Sequence, residues 1–186
     1  MPKEWEKEFP NLGNWICSSK STTDYNCVAF AVGDETRRWE PYGYYWPDGL
    51  SQDYGTDTLI KAYKKEGFEL CKDGTLVKDR EKIVIYVNNR GGWEHVARQE
   101  PDGRWKSKLG DAEDIIHENP ESLTCADYGT PRIYMERARQ QKEAEVTTIS
   151  ASSEKVSPPT VASNPKHRED FMRLQGAAAR KQKRDD

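Results

Sequence analysis

The chain has 186 residues, and 33% charged against 34% hydrophobic side chains is too polar a balance for all of it to pack around one core. All six Trp, all nine Tyr, all four Cys and three of the four Phe precede Val146, so the part able to build a core is expected to be residues 1–145. From Val146 onward eight Lys/Arg face five Asp/Glu, which leaves the preceding part six charges negative in a chain of net charge −3 and argues against nucleic acid as a partner, because phosphate binding needs a concentrated basic surface.

In chain order, residues 1–20 mix polar and aromatic side chains and read as an arm anchored by Trp5, Phe9 and Trp15. Ser21-Thr22-Thr23-Asp24 offers several N-caps before the apolar run Cys27-Val28-Ala29-Phe30-Ala31-Val32, closed by Gly33, which predicts a helix covered on most sides. Residues 36–54 are crowded with Trp, Tyr, Pro and Gly and read as a loop held down by aromatics, able to wall a cleft. Thr56 to Glu66 predicts a surface helix with Leu59, Ala62 and Tyr63 on one face and Gly67 after its end. Phe68 to Cys71 predicts a short strand, and Lys82 to Val87 a central one.

His95-Val96-Ala97-Arg98-Gln99, the turn Pro101-Asp102-Gly103-Arg104 and Trp105 to Leu109 form a hairpin signal. Asp114 to His117 reads as loop, and Arg132 to Met135 as a last strand, fraying into a helix through Gln140. The sum is an α+β core, helices first and then an antiparallel sheet. Residues 146–165, rich in Ser, Thr, Pro and Ala and free of aromatics, are expected to be a disordered linker. Residues 166–186 carry Phe171, Leu174 and Ala178 at helical spacing, the pattern of a short amphipathic helix that docks on a protein partner.

No segment approaches the roughly 20 apolar residues of a membrane span, and the N-terminal Met-Pro-Lys-Glu-Trp-Glu-Lys lacks the apolar run of a secretory signal. The expected location is therefore the cytoplasm, with no membrane partner, although specialised secretion uses other addresses. Cys17, Cys27, Cys71 and Cys125 contain no C-x-x-C pair, so each is judged alone. A zinc set of Cys27, His95, His117 and Cys125 is conceivable by residue type, but no local spacing supports it. No metal and no cofactor are expected.

The fragment Asp24-Tyr25-Asn26-Cys27-Val28-Ala29 carries the chemistry. A cysteine at the first turn of a buried helix lies among unpaired N–H groups that favour a thiolate, and these can also hold an oxyanion, with Asn26 and Asp24 positioned to help. A thiol nucleophile needs a base, and of three histidines only His95 lies on an expected core strand. A free cysteine in an apolar helix is on its own most often a packed residue. The pairing with His95, in that order along the chain, is what favours function, and it predicts a thiolate persisting well below the ordinary value of about 8.5.

Asn-Cys-Val-Ala-Phe-Ala (Asn26–Ala31) resembles the nucleophile helix of the papain-like superfamily, in particular its NlpC and CHAP amidase and endopeptidase branches. His-Val-Ala-Arg-Gln, followed by Asp-Gly-Arg-Trp, resembles their histidine strand and return hairpin. Residues 26–134 are also similar to a group of uncharacterised bacterial proteins carrying motifs that here are Trp105–Gly110, Asp114–His117 and Tyr128–Gly129. The resemblance implies a papain-like (NlpC/CHAP-type) α+β fold and a cysteine hydrolase acting on an amide or isopeptide bond of a peptide, glycopeptide or protein. Cys27 would attack, His95 would shuttle the proton, and a third polar group would orient the imidazole. The alternatives are an inactive papain-like binding module and a delivered toxin with deamidase or amidase activity.

The third group departs from the family's His, Asn or Gln. With Asp102-Gly103 as the two central turn residues, Lys108 falls on the His95 face, and a one-residue bulge would bring Ser107 there instead. A lysine beside the imidazole would oppose imidazolium, so Ser107 and Asp111 rank above it. His117 is expected to make a fold-holding hydrogen bond.

Overall fold

The computed structural model describes residues 3–139. The expected linker 146–165 and the docking helix with Phe171, Leu174 and Ala178 lie outside the described residues. Two helices, α1 (Cys27–Val32) and α2 (Thr56–Lys65), and seven strands, β1 (Trp15–Cys17), β2 (Glu69–Cys71), β3 (Arg80–Val87), β4 (Trp93–Gln99), β5 (Trp105–Lys108), β6 (Asp114–His117) and β7 (Thr130–Ala138), are joined by loops and two 3-10 turns. The strands form one antiparallel sheet in the order β1-β6-β5-β4-β3-β7-β2. The protein is therefore α+β. Among the described residues no helix is long and apolar enough to cross a membrane.

Strand β3 is central because it is apolar on both sides. Ile83 and Ile85 face a cluster with α1 and α2, while Val84 and Tyr86 face a second cluster built by Phe9, Trp105, Leu109, Ile115 and Leu123. The N-terminal arm covers that second face: Trp5 packs on Trp15 with ring centroids 5.0 Å apart, and Phe9 meets Tyr128 at 5.1 Å. On the first face Tyr63 of α2 donates to the Val28 carbonyl of α1 at 3.1 Å. Arg137 of β7 then satisfies the end of each helix, donating to the carbonyls of Val32 and Glu66 at 3.1 and 3.0 Å while pairing with Glu81 at 2.8 Å.

Three local expectations give way. The hairpin pairs Arg98 with Lys106 and Gln99 with Trp105, and Glu100 donates to the Arg104 carbonyl. Its loop is therefore three residues, Pro101 to Gly103, with Gly103 at φ 92°, a left-handed glycine closing the loop, so the alternate register brings Ser107 rather than Lys108 to the His95 face. Residues Asp114 to His117, expected as loop, form β6, paired by β5 along all four residues and by β1 at Ile115 to His117. The expected terminal helix is absent through Ala138, because Arg80 to Val87 draws residues 130–138 into register as β7. Pro131 is tolerated there because the ladder shifts register between Ile85 and Tyr86 beside it.

Gly129 holds the turn that presents Tyr128. It lies at φ 73°, and a Cβ added there would collide with the Val87 carbonyl, whereas Gly91 at φ 82° faces open space. Gly91→Ala therefore incurs only left-handed strain, about 1–2 kcal/mol, while Gly129→Ala adds a backbone clash and is expected to cost more than about 3 kcal/mol. Urea unfolding of the two variants checks this, and equal losses would contradict the placement of the turn.

Candidate active site

Asn26 starts α1 in extended conformation, and its side-chain oxygen accepts from the Ala29 N–H. The same amide closes a loop onto the helix: its oxygen also accepts from the Trp39 N–H at 3.1 Å, and its nitrogen donates to the Trp39 carbonyl at 2.8 Å. Both polar atoms of the side chain are thus engaged in scaffolding, so Asn26 positions Cys27, with one N–H of its amide left over. Asp24 is exposed, and its backbone N–H donates to the Thr22 hydroxyl. Asp111 pairs with Arg38 at 2.9 Å rather than with His95, because the guanidinium is the stronger attraction for that carboxylate.

Cys27 is half-buried at the first position of α1, and its sulfur lies against the sheet at Val96, the residue after His95. Burial pushes its pKa up to about 11, Val96 N–H, the Arg38 charge and Val28 N–H work against that rise, and Glu40 adds to it. The sequence expectation of a persistent thiolate is therefore reversed in the resting protein: desolvation of the sulfur outweighs the donors around it. Among the described residues no hydrogen bond joins Cys27 to His95.

His95 is cross-strand partner of Tyr86 and lies on the second face, meeting the Tyr86 ring edge-on at 5.1 Å and stacking on Tyr128 at 4.3 Å. Tyr128 is the shared neighbour of both groups: burial, and after it Cys27, hold its hydroxyl pKa well above the ordinary value. The His95 Nε2 is 3.0 Å from Ser107 Oγ, which is also 3.0 Å from His117 Nε2. His117 Nδ1 is 2.8 Å from the Asn119 carbonyl.

That last contact fixes every proton in the chain. A carbonyl only accepts, so His117 carries its proton on Nδ1 and offers a lone pair at Nε2. Ser107 donates to that lone pair and accepts from His95, which must hold its proton on Nε2. The Nδ1 of His95 is left as an unprotonated nitrogen with no hydrogen-bond partner among the described residues. Burial, and then the neighbouring His117, keep the His95 pKa well below the ordinary imidazole value. Burial brings His117 down to about 4, opposed in part by the Asn119 carbonyl. Both rings are neutral near pH 7. His117, expected only to hold the fold, ends this relay; its Asp-Ile-Ile-His setting gave no sign that β6 would lie beside β5.

Lys108 points to the first face, over the Tyr25 ring at 5.4 Å, with its pKa lowered chiefly by burial. Tyr25 donates to Asp114 at 2.9 Å. Among the described residues no group of three or more His, Cys, Asp or Glu converges as for a metal ion. The loop carrying Arg38, Trp39 and Glu40 is tied through Trp39 to Asn26, the residue before the thiol.

A family model described as "Domain of unknown function (DUF7689)" matches residues 16–136, a span that takes in both helices, strands β2 to β6, most of β1 and β7, and all the residues above. The chain belongs to the DUF7689 family. No curated protein and no solved structure matches it. The matched region begins within β1 and ends within β7, so in this DUF7689 chain Cys27, His95, Ser107 and His117 all fall inside the family's extent.

The histidines make stability depend on pH in a definite sense. A group ionising near 6.5 in the unfolded chain and near 4 in the folded one binds protons preferentially when unfolded across that window. Its contribution is complete above the upper value and lost as pH falls toward the lower, by about 1.4 kcal/mol per pH unit for each proton. His95 acts with the same sign. Urea midpoints are expected to drop steadily from pH 7 to 5, and His117→Gln to show a shallower drop whatever its stability at pH 7. An unchanged slope in that variant would contradict the buried neutral ring.

Proposed function

We propose that this DUF7689 chain is a cysteine-dependent hydrolase of papain-like design, cleaving an amide or isopeptide bond in a peptide, glycopeptide or protein. The observation that carries the reading is the tautomer of His95 set by Ser107 and His117, which leaves Nδ1 without a proton or a hydrogen-bond partner among the described residues, on the strand whose next residue, Val96, packs with α1 on the other face. Supporting it are the order of elements, with the cysteine opening α1 and the histidine on the strand entering the hairpin, and the Val28 and Val96 N–H groups next to the sulfur.

In this reading the resting pair is a neutral thiol and a neutral imidazole. Attack of Cys27 Sγ on a carbonyl needs a base for its proton, and the reading requires substrate binding to bring His95 Nδ1, which rests on the opposite face of the sheet, to the sulfur; the N–H groups near the sulfur then stabilise the tetrahedral oxyanion. Collapse breaks the C–N bond, the amine leaves with the proton from Nδ1, and water, deprotonated by the same nitrogen, releases the acid from the thioester. Ser107 and His117 keep Nε2–H of His95 engaged, so that Nδ1 stays the basic atom.

The second reading is an inactive binding module, favoured by the raised pKa of Cys27 and the missing hydrogen bond to His95 among the described residues. Acylation by p-nitrophenyl acetate separates the two. The hydrolase reading expects one acetyl group on Cys27, found by mass analysis of digested protein, and a rate lowered by about 10²–10⁴-fold in His95→Ala. Acetylation that ignores His95, or falls equally on Cys17, Cys71 and Cys125, gives first place to the binding module.

A further inference from the structure

The loop between α1 and α2 exposes an unusual amount of aromatic surface. Trp39 and Trp46 are buried and anchor it, Trp39 through Asn26 and Asp34, yet Tyr42, Tyr44, Tyr45 and Tyr54 remain on the outside, Tyr42 with 71% and Tyr54 with 38% of its surface exposed. Tyrosines scattered singly would need no explanation; four on one loop make a patch. Tyr42 also sits at φ 63°, which disfavours a bulky residue and is maintained by the Gln52 side chain accepting its N–H at 2.8 Å. Strain kept up at an exposed aromatic is more typical of a binding surface than of a connector.

Two of the four rings already have occupants of one chemical kind. The Arg37 guanidinium lies 3.6 Å over Tyr45 and that of Arg38 5.3 Å from the centre of Tyr44. The other two, Tyr42 and Tyr54, are 6.2 Å apart and inclined by 35°, with Trp93 a further 5.4 Å beyond Tyr54. No cation of the described residues covers Tyr42 or Tyr54. At their inner end the Tyr54 hydroxyl donates to Glu40 at 3.1 Å, and the second oxygen of that carboxylate is held only by a 4.0 Å approach of Arg38. The surface thus joins exposed tyrosine rings to a carboxylate with acceptor capacity left over.

We propose that the Tyr42–Tyr54 face, closed by Glu40, binds a basic side chain, the ammonium of a lysine or the guanidinium of an arginine in a peptide. Ring faces attract cations through their quadrupole, most strongly where water is partly excluded, and a carboxylate at one end selects positive charge over merely apolar groups. The excess negative charge of the chain ahead of Val146 acts in the same direction at longer range. The charge of Glu40 also acts on Cys27, raising its pKa. The role of the surface as a substrate subsite rests on the hydrolase reading; the binding itself does not.

The test is an NMR titration of the full chain carrying Cys27→Ser, so that binding is read without turnover, following the Trp93 indole and the tyrosine ring protons. The probes are Nα-acetyl-lysine amide, Nα-acetyl-arginine amide, the neutral Nα-acetyl-norleucine amide and N-acetylglucosamine. Saturable shifts with the two basic probes are expected, with norleucine amide on the order of tenfold weaker and a loss of similar size for the basic probes in Glu40→Gln and in Tyr54→Leu. Norleucine amide binding as tightly as lysine amide, preferential binding of the sugar, basic-probe affinity unchanged in Glu40→Gln, or no shift with any probe would each overturn the proposal. None of these outcomes depends on Cys27 being a nucleophile, so the failure of one reading is separable from the failure of the other.

Discussion

One side-chain amide organises this molecule's first face. Asn26 caps α1 and at the same time pairs with both backbone groups of Trp39, so the start of the helix and the aromatic loop cannot move independently. Losing a helix cap costs about 1 kcal/mol, and leaving the buried Trp39 groups unpaired adds a further ~1–3 kcal/mol for each. That double engagement sets Cys27 on the Val96 side of the sheet, where the charges of Arg38 and Glu40 act on its sulfur. An aspartate could cap the helix but could not donate to the Trp39 carbonyl, which is why an amide serves where a carboxylate would not.

On the second face the corresponding constraint is a hairpin loop. The left-handed Gly103 makes the turn three residues long, and the resulting register puts Ser107 between His95 and His117. A two-residue turn would have put Lys108 there, whose ammonium would leave the His95 lone pair with a competing cation. Lys108 instead spends its charge on the first face, over Tyr25 and bonded to the Ala112 carbonyl. The relay works because its last acceptor, the Asn119 carbonyl, has no proton to give, and that removes any choice of tautomer upstream.

What could be read from the sequence follows from how local each determinant is. The helix after Asn26, the amphipathic α2, the doubly apolar β3 and the position of His95 on a strand all rest on periodicity and end signals within a few residues, and the structure has each of them. The register of the hairpin was not decided, because Asp102-Gly103 suits a two-residue turn and a longer loop alike, and the choice reverses which side chain meets His95. Strand β6 was missed since four residues, two of them adjacent isoleucines, show no alternation until β1 and β5 pair with both of their edges. Asp111 was drawn away by Arg38, a partner 73 residues earlier that spacing along the chain does not reveal. The acidity of Cys27 was misjudged for a similar reason: donors at a helix start are local, but the desolvation that outweighs them comes from the packed sheet.

The most direct measurement of this account is the protonation pattern of the two buried imidazoles, recorded by ¹⁵N–¹H correlation through their ring protons between pH 5.5 and 8. The account predicts His95 with a protonated Nε2 and a bare Nδ1, His117 with a protonated Nδ1 and a bare Nε2, and neither ring titrating across that range. A proton on Nδ1 of His95, or an imidazolium at either ring near pH 6, would contradict it.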